Sequence, residues 1–154
     1  MPMVQQIPSE QDWGDYKNDL DQEYAHRIFF GKSLEEVGPV FEHGVIERVD
    51  ELRFMPLIPF RYYVRALSNY VMSKQILANE DSPDTASCFL NLVTEKLREA
   101  PDFILPVIED LMAAVEYVAA NQTLFDADVS IYGDFTEKLA EIKILSKSKI
   151  EGRQ

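Results

Sequence analysis

The chain has 154 residues, a net charge of -12 at pH 7, and a composition that is 46% hydrophobic and 27% charged. These values disfavour a disordered or fibrous protein and indicate one globular domain over residues 1–154, with flexible termini at 1–8 and 146–154. The single cysteine, Cys88, excludes an internal disulfide and any multi-cysteine metal site.

The charge and hydropathy patterns also bear on location and partners. The first residues carry no basic segment followed by an apolar core, and no window holds about 18 apolar residues in succession. We therefore expect a cytoplasmic protein. Its negative charge repels the phosphates of nucleic acids and anionic lipids and attracts basic proteins, so we expect neither nucleic acid nor membrane as a partner.

Helix signals recur along the chain and hairpin signals are lacking, so the sequence predicts an all-α bundle of about six helices with mixed crossing angles. In the first half, Ser33 and Glu36 form a capping box that starts a short helix. Pro56 and Pro59 predict an extended connection. Longer helices are predicted from residue 9 or 12 to residue 30, over 45–54 and over 60–77, the first of them on an apolar stripe of Trp13, Tyr16, Leu20, Tyr24 and Ile28.

Three further helices are predicted in the second half. Ser82 as N-cap and Pro83 in the first helical position mark the start of one helix. Asp134 and Glu137 resemble a cap and its reciprocal partner and start another. These helices are predicted over 82–99, 107–121 and 134–145.

Alternating oxygen-bearing residues precede the last predicted helix, in the pattern Asp126-x-Asp128-x-Ser130-x-Tyr132-x-Asp134-x-x-Glu137. The pattern resembles an EF-hand loop, which implies a Ca²⁺ site with a bidentate carboxylate in the twelfth position. Ile131 stands where the sharp turn of that loop requires glycine, and Gly133 stands where an aliphatic residue is usual. The alternative, which these departures favour, is an acidic loop in solvent that ends in an Asp134 N-cap.

A second metal hypothesis concerns Asp19, Glu23 and His26, which share one stripe of the first predicted helix. The Glu-x-x-His spacing is that of di-iron helical bundles. Such sites need a second Glu-x-x-His motif, and His43 has no acid three residues before it. The sequence therefore favours a hydrogen-bonded histidine at the edge of the core.

Four arginines form a band before and within the helix predicted over 60–77. Arginine beside tyrosine, as in Arg61, Tyr62 and Arg65, is suited to binding carboxylates or phosphates and is common at protein interfaces. The alternative, which the acidic composition favours, is pairing with the protein's own carboxylates. The whole band is Arg48, Arg53, Arg61 and Arg65.

Asp102, Glu109 and Glu116 recur every seven residues and so indicate an acidic edge on one helical region. They belong to a stretch between Arg98 and Lys138 that holds nine acids and no base. Such a stretch is usually a solvated face, but it also suits a basic protein partner.

No nucleophile elbow or phosphate-binding glycine loop is present, and the sequence predicts no cofactor. The leading hypothesis is a non-enzymatic interaction module, such as an adaptor, inhibitor or immunity-type protein. In that hypothesis the partner-binding residues are Asp102, Glu109, Glu116, Arg61 and Arg65. The alternative is a ligand- or metal-binding helical protein, possibly an enzyme, with a pocket between helices lined by Tyr62, Tyr63, Tyr70 or His26.

Overall fold

The computed structural model describes residues 6–152, and within that range the protein is all-α, without a strand, which confirms the predicted fold class. The α-helices are α1 (Leu20–Phe29), α2 (Leu34–Val37), α3 (Val45–Phe54), α4 (Leu57–Val71), α5 (Ser82–Glu99), α6 (Pro101–Ile104), α7 (Ile108–Ala120), α8 (Val129–Tyr132) and α9 (Phe135–Gly152). Turns of 3-10 helix lie at Gln11–Trp13, Tyr16–Asn18, Gly38–Glu42, Gln75–Ala78 and Leu105–Val107. The expected total of about six helices is too low, because it omitted the single-turn helices α6 and α8 and the 3-10 turns.

The long first helix predicted from residue 9 or 12 is wrong. Two 3-10 turns precede α1, because Gly14 has a positive φ of 58° and Asp19 is extended, with its side chain capping the amides of Asp21 and Gln22. The predicted apolar stripe therefore breaks at this point. Leu20 is 85% exposed, whereas Trp13 is fully buried.

The next boundaries follow the sequence closely except for the helix predicted over 60–77. This helix, α4, starts at Leu57 and already ends at Val71, and a separate 3-10 turn follows at Gln75–Ala78. The capping box of Ser33 and Glu36 starts α2, and α3 occupies the predicted residues. Pro56 is extended, as expected, but Pro59 lies in the first turn of α4, where the missing amide hydrogen leaves no helical bond unmade. The chain between the two prolines is therefore helical rather than extended.

The second half differs from the sequence prediction at two helix ends. Ser82 is the first residue of α5 rather than its N-cap, and its hydroxyl donates to the carbonyl of Phe125 instead. The last helix, α9, begins after Asp134, whose Oδ1 accepts from the amide of Thr136. It continues past the predicted end at 145, because it packs along α5 and α7 with Ile142 buried.

The predicted flexible termini are only partly testable in the structure. Residues 146–152 are helical rather than frayed, and 153–154 lie outside the described residues. At the other end, 1–5 are also outside the described residues, while Pro8 is buried. Within the described part of the chain, no helix is both long and apolar enough to cross a membrane.

Helix α4 lies at the centre of the fold, in contact with α2, α3, α5, α6 and α7. It is buried on nearly every side, so its polar side chains need partners inside the protein. The hydroxyl of Tyr63, for example, donates to the carbonyls of Phe29 and Lys32 at 2.7 and 2.8 Å. This contact fastens the end of α1 and the residues before α2 to the central helix.

We predict that Tyr63→Phe lowers the free energy of unfolding by about 1 to 3 kcal/mol, because it removes a buried donor from two carbonyls without opening a cavity. Urea denaturation monitored by circular dichroism measures this change. Tyr24→Phe is the matched control, since Tyr24 is 47% exposed, and it should leave stability unchanged. Equal stability of the two variants would contradict the assigned role of the Tyr63 hydroxyl.

Candidate functional site

The predicted acidic edge is divided between two helices. Asp102 lies on α6, and Glu109 and Glu116 lie two turns apart on α7, and all three side chains are exposed. Glu116 is 3.9 Å from the Nζ of Lys143, and Glu109 lines a shallow groove that also contains Lys143 and Lys147. The stretch that is free of bases in the sequence therefore faces bases in space, because α9 packs on α7.

The two arginines that were predicted to bind a partner make contacts within the protein. Arg61 donates to the backbone carbonyls of Asp102 and Phe103 at 2.6 and 3.1 Å, which holds α6 against α4. Arg65 is only 8% exposed, and its Nε lies 3.7 Å from the Asp110 carboxylate on α7. Both guanidinium groups thus connect α4 to the segment that carries the acidic edge.

The other arginines follow the same pattern. Arg53 pairs with Asp50 and with Glu95, which joins α3 to α5. In the described residues, each of the six arginines contacts a carboxylate of the protein or, for Arg61, backbone carbonyls. The remaining pairs are Arg27 with Glu23, Arg48 with Glu51, and Arg98 with Glu141.

The loop that resembles an EF-hand is organised by its own side chains. Asp128 caps the single turn of α8 through Oδ1, which accepts from the amide and hydroxyl of Ser130, and Asp134 does the same for Thr136 at the start of α9. The carboxamide of Gln122 donates to the carbonyls on both sides of α8, at residues 127 and 133. The carboxylates are thus used as helix caps and point to separate helices.

His26 lies between one aromatic ring that precedes α1 and another that follows it. Its ring stacks on Tyr16 and Phe30, with centroids at 3.8 and 4.4 Å, and its Nε2 is 2.9 Å from Oε2 of Glu10. The Tyr16 hydroxyl donates to the same carboxylate, which raises the pKa of Tyr16 to about 12. This arrangement is that of a hydrogen-bonded histidine, and Glu10, sixteen residues away, carries no sequence signal that would have identified it.

The expected metal partners of His26 are used elsewhere. Asp19 caps α1, and Glu23 pairs with Arg27. Across residues 6–152, no three side chains among His, Cys, Asp and Glu are grouped so that they could hold a metal ion.

The tyrosines of the predicted pocket do not share one cavity. Tyr63 is fully buried with its hydroxyl bonded, and burial raises the pKa of Tyr62. Tyr70, in contrast, lines a cavity of about 340 Å³ between the α2 region and α4, together with Glu35 and Glu42. Its oxygen accepts from Asn79 at 3.3 Å, and burial raises its pKa, so this phenol stays protonated at neutral pH.

A groove that the sequence did not reveal lies between α1 and α3. It has a volume of about 280 Å³, and its lining includes the exposed rings of Tyr24 and Phe54. No sequence spacing could have brought these residues together, because they belong to helices whose contact is set by the packing of α1 on α3. Its polar lining consists of Asp21, Glu47, Asp50, Glu51 and Arg48.

Glu51 is the most deeply buried carboxylate of this groove, with 5% of its surface exposed. Desolvation raises its pKa from 4.5 to about 6, against the opposing effect of Arg48, whose guanidinium contacts both carboxylate oxygens. At neutral pH the groove therefore contains a charged carboxylate that is poorly solvated.

We predict that millimolar Ca²⁺ leaves the melting temperature almost unchanged, because Asp128 and Asp134 are occupied as helix caps. Differential scanning fluorimetry with and without Ca²⁺ measures this. A clear rise in melting temperature that Glu137→Gln abolishes would show that the loop binds the ion.

We predict that the burial of Glu51 makes stability depend on pH in a defined direction. Because its folded pKa is raised, the protonated form stabilises the fold at low pH, and this contribution is lost as pH rises from 4.5 to about 6. Relative to Glu51→Gln, the wild type should lose up to about 2 kcal/mol of unfolding free energy across this interval. Denaturant titrations of both proteins at several pH values measure the difference, and a constant difference would refute the assignment.

Comparison with known proteins adds nothing to this geometry. No protein-family model, no curated protein and no solved structure matches the chain. Function must therefore be inferred from the side chains themselves.

Proposed function

We propose that this protein is a non-enzymatic interaction module that binds a basic protein through its acidic surface. The observation that supports this most strongly is that its described arginines pair within the chain. In the described part of the chain, every arginine is bound to the protein's own carboxylates or carbonyls. The chain nevertheless carries 27 acids against 15 lysines and arginines, so the surplus carboxylates lie at the surface.

This distribution favours one class of partner over others. A phosphate-bearing ligand is recognised through arginines and lysines, and here every described arginine already contacts a carboxylate or carbonyl of the chain. A basic protein surface, in contrast, gains attraction from every exposed carboxylate within about 8 Å at physiological ionic strength. We therefore propose a basic protein as the partner, and we propose that this protein and its partner are both cytoplasmic.

The acidic edge of Asp102, Glu109 and Glu116 is proposed to attract this partner during approach. Its charges are exposed, which suits a contribution to the association rate. Lys143 and Lys147 of α9 lie beside it and weaken its field. The edge is therefore better suited to steering the partner than to holding it.

A ligand-binding protein remains the second candidate, on the strength of the cavity beside Tyr70. Its volume of about 340 Å³ is within the range of small-molecule sites, and a lining that includes a protonated phenol, Glu35 and Glu42 suits a polar, cationic ligand. Such a ligand would raise the melting temperature with no protein partner present. An interaction module would show no such effect until the partner was added.

The function is tested by capture from an extract of the native organism on the immobilised protein, followed by elution with increasing salt. We expect a basic protein that elutes as salt screens the carboxylates, between about 0.05 and 0.5 M. A polylysine peptide should compete with it, and a polyglutamate peptide should not. Elution that is independent of salt, or competition by polyglutamate, would contradict the proposal.

We predict that Asp102→Asn, Glu109→Gln and Glu116→Gln combined slow association with the captured partner by about threefold to tenfold at low salt, with little change in dissociation. Surface plasmon resonance at low and high salt separates the two rates. If the variant changes only the dissociation rate, the edge is a contact surface. If neither rate changes, the edge is a solvated face.

A further inference from the structure

We infer that the groove between α1 and α3 is where the partner is held, and that its occupant is an arginine or lysine side chain of that basic protein. This inference rests on the proposed function and specifies its site. It combines three features of the groove: exposed aromatic rings, an excess of carboxylates, and a volume that suits a side chain.

The aromatic rings are the feature that distinguishes this groove from an ordinary acidic surface. Tyr24 on α1 is 47% exposed and Phe54 on α3 is 44% exposed, although both line the same groove. Aromatic rings attract cations over their faces, and aromatic residues are enriched among those that dominate binding energy. The guanidinium of Arg27, 5.6 Å from the centre of the Tyr24 ring, already makes such a contact within the chain.

The charges of the groove favour a cation in the same place. Asp21 and Glu47 form no ion pair with another described residue, while Asp50 and Glu51 are each paired with an arginine. Four carboxylates therefore line the groove with Arg48 as the one cationic side chain of the lining. A second cation would reduce this negative excess, and the carboxylates of Asp21 and Glu47, which form no ion pair with another described residue, would attract it.

The volume of the groove and the spacing of its carboxylates indicate which kind of cation it binds. Its carboxylates, in the described structure, are not grouped closely enough for a metal ion. Its volume of about 280 Å³ is below that of most small-molecule sites. A single long side chain has an apolar stem that packs between two rings and a charged end that reaches carboxylates, so it matches both parts of the lining.

Fluorescein-labelled nona-arginine is a suitable probe, titrated by fluorescence anisotropy at low salt. Two double variants each remove two exposed carboxylates: Asp21→Asn with Glu47→Gln in the groove, and Glu80→Gln with Glu99→Gln, which lie outside both the groove and the acidic edge. We expect the groove pair to raise the Kd by about tenfold and the control pair by less than about threefold.

The rings are tested separately by Tyr24→Leu with Phe54→Leu, which keeps the apolar bulk and removes the aromatic faces. We expect an increase in Kd of about threefold to tenfold. Ile58→Ala is the control, because Ile58 is 47% exposed outside the groove lining, and it should leave the Kd unchanged. Circular dichroism melts of all variants confirm that each is folded.

These measurements distinguish failure of the groove as the binding site from failure of the proposed function. Equal losses in the two charge pairs, or an unchanged Kd in the ring variant, would overturn the groove as the binding site and leave an acidic interaction module in place. Failure of the wild type to bind nona-arginine, or equal binding of nona-glutamate, would overturn both.

Discussion

The enclosure of α4 is the constraint on which the rest of the structure depends. A helix that is covered on nearly every side must pair its polar groups internally, and α4 carries several of them. Three of them contact different neighbours: the hydroxyl of Tyr63 donates to the end of α1, Arg61 donates to α6, and Arg65 lies 3.7 Å from Asp110 of α7. The same side chains that satisfy the buried helix therefore also fix the surrounding helices in place.

This constraint has a consequence for the surface. Every described arginine contacts a carboxylate or carbonyl of the chain, and Glu51 is the only described carboxylate that is buried, so the net charge of -12 lies at the surface. The field of such a surface acts at long range, but holding a partner requires desolvated contacts of defined shape. The acidic edge of α6 and α7 provides long-range attraction. The groove between α1 and α3, with Tyr24 and Phe54, provides both this attraction and a surface for close contact.

Sequence reasoning succeeded where the signal is local. The capping box at Ser33 and the bounds of α3 depend on residues within one or two helical turns, and both were predicted correctly. It failed where a contact between residues that are far apart in the sequence determines the local structure. The hydroxyl of Ser82 bonds to a carbonyl 43 residues away, and α9 is extended by its packing on α5 and α7. The groove was missed for the same reason, since α1 and α3 meet only in the folded protein.

The most direct measurement is an NMR titration of the labelled protein with nona-arginine. We predict the largest shifts in the ring signals of Tyr24 and Phe54 and in the side-chain carboxyl of Glu51, with small changes at Glu109 and Glu116. Shifts concentrated on α7, or spread evenly over all exposed carboxylates, would contradict a defined docking groove between α1 and α3.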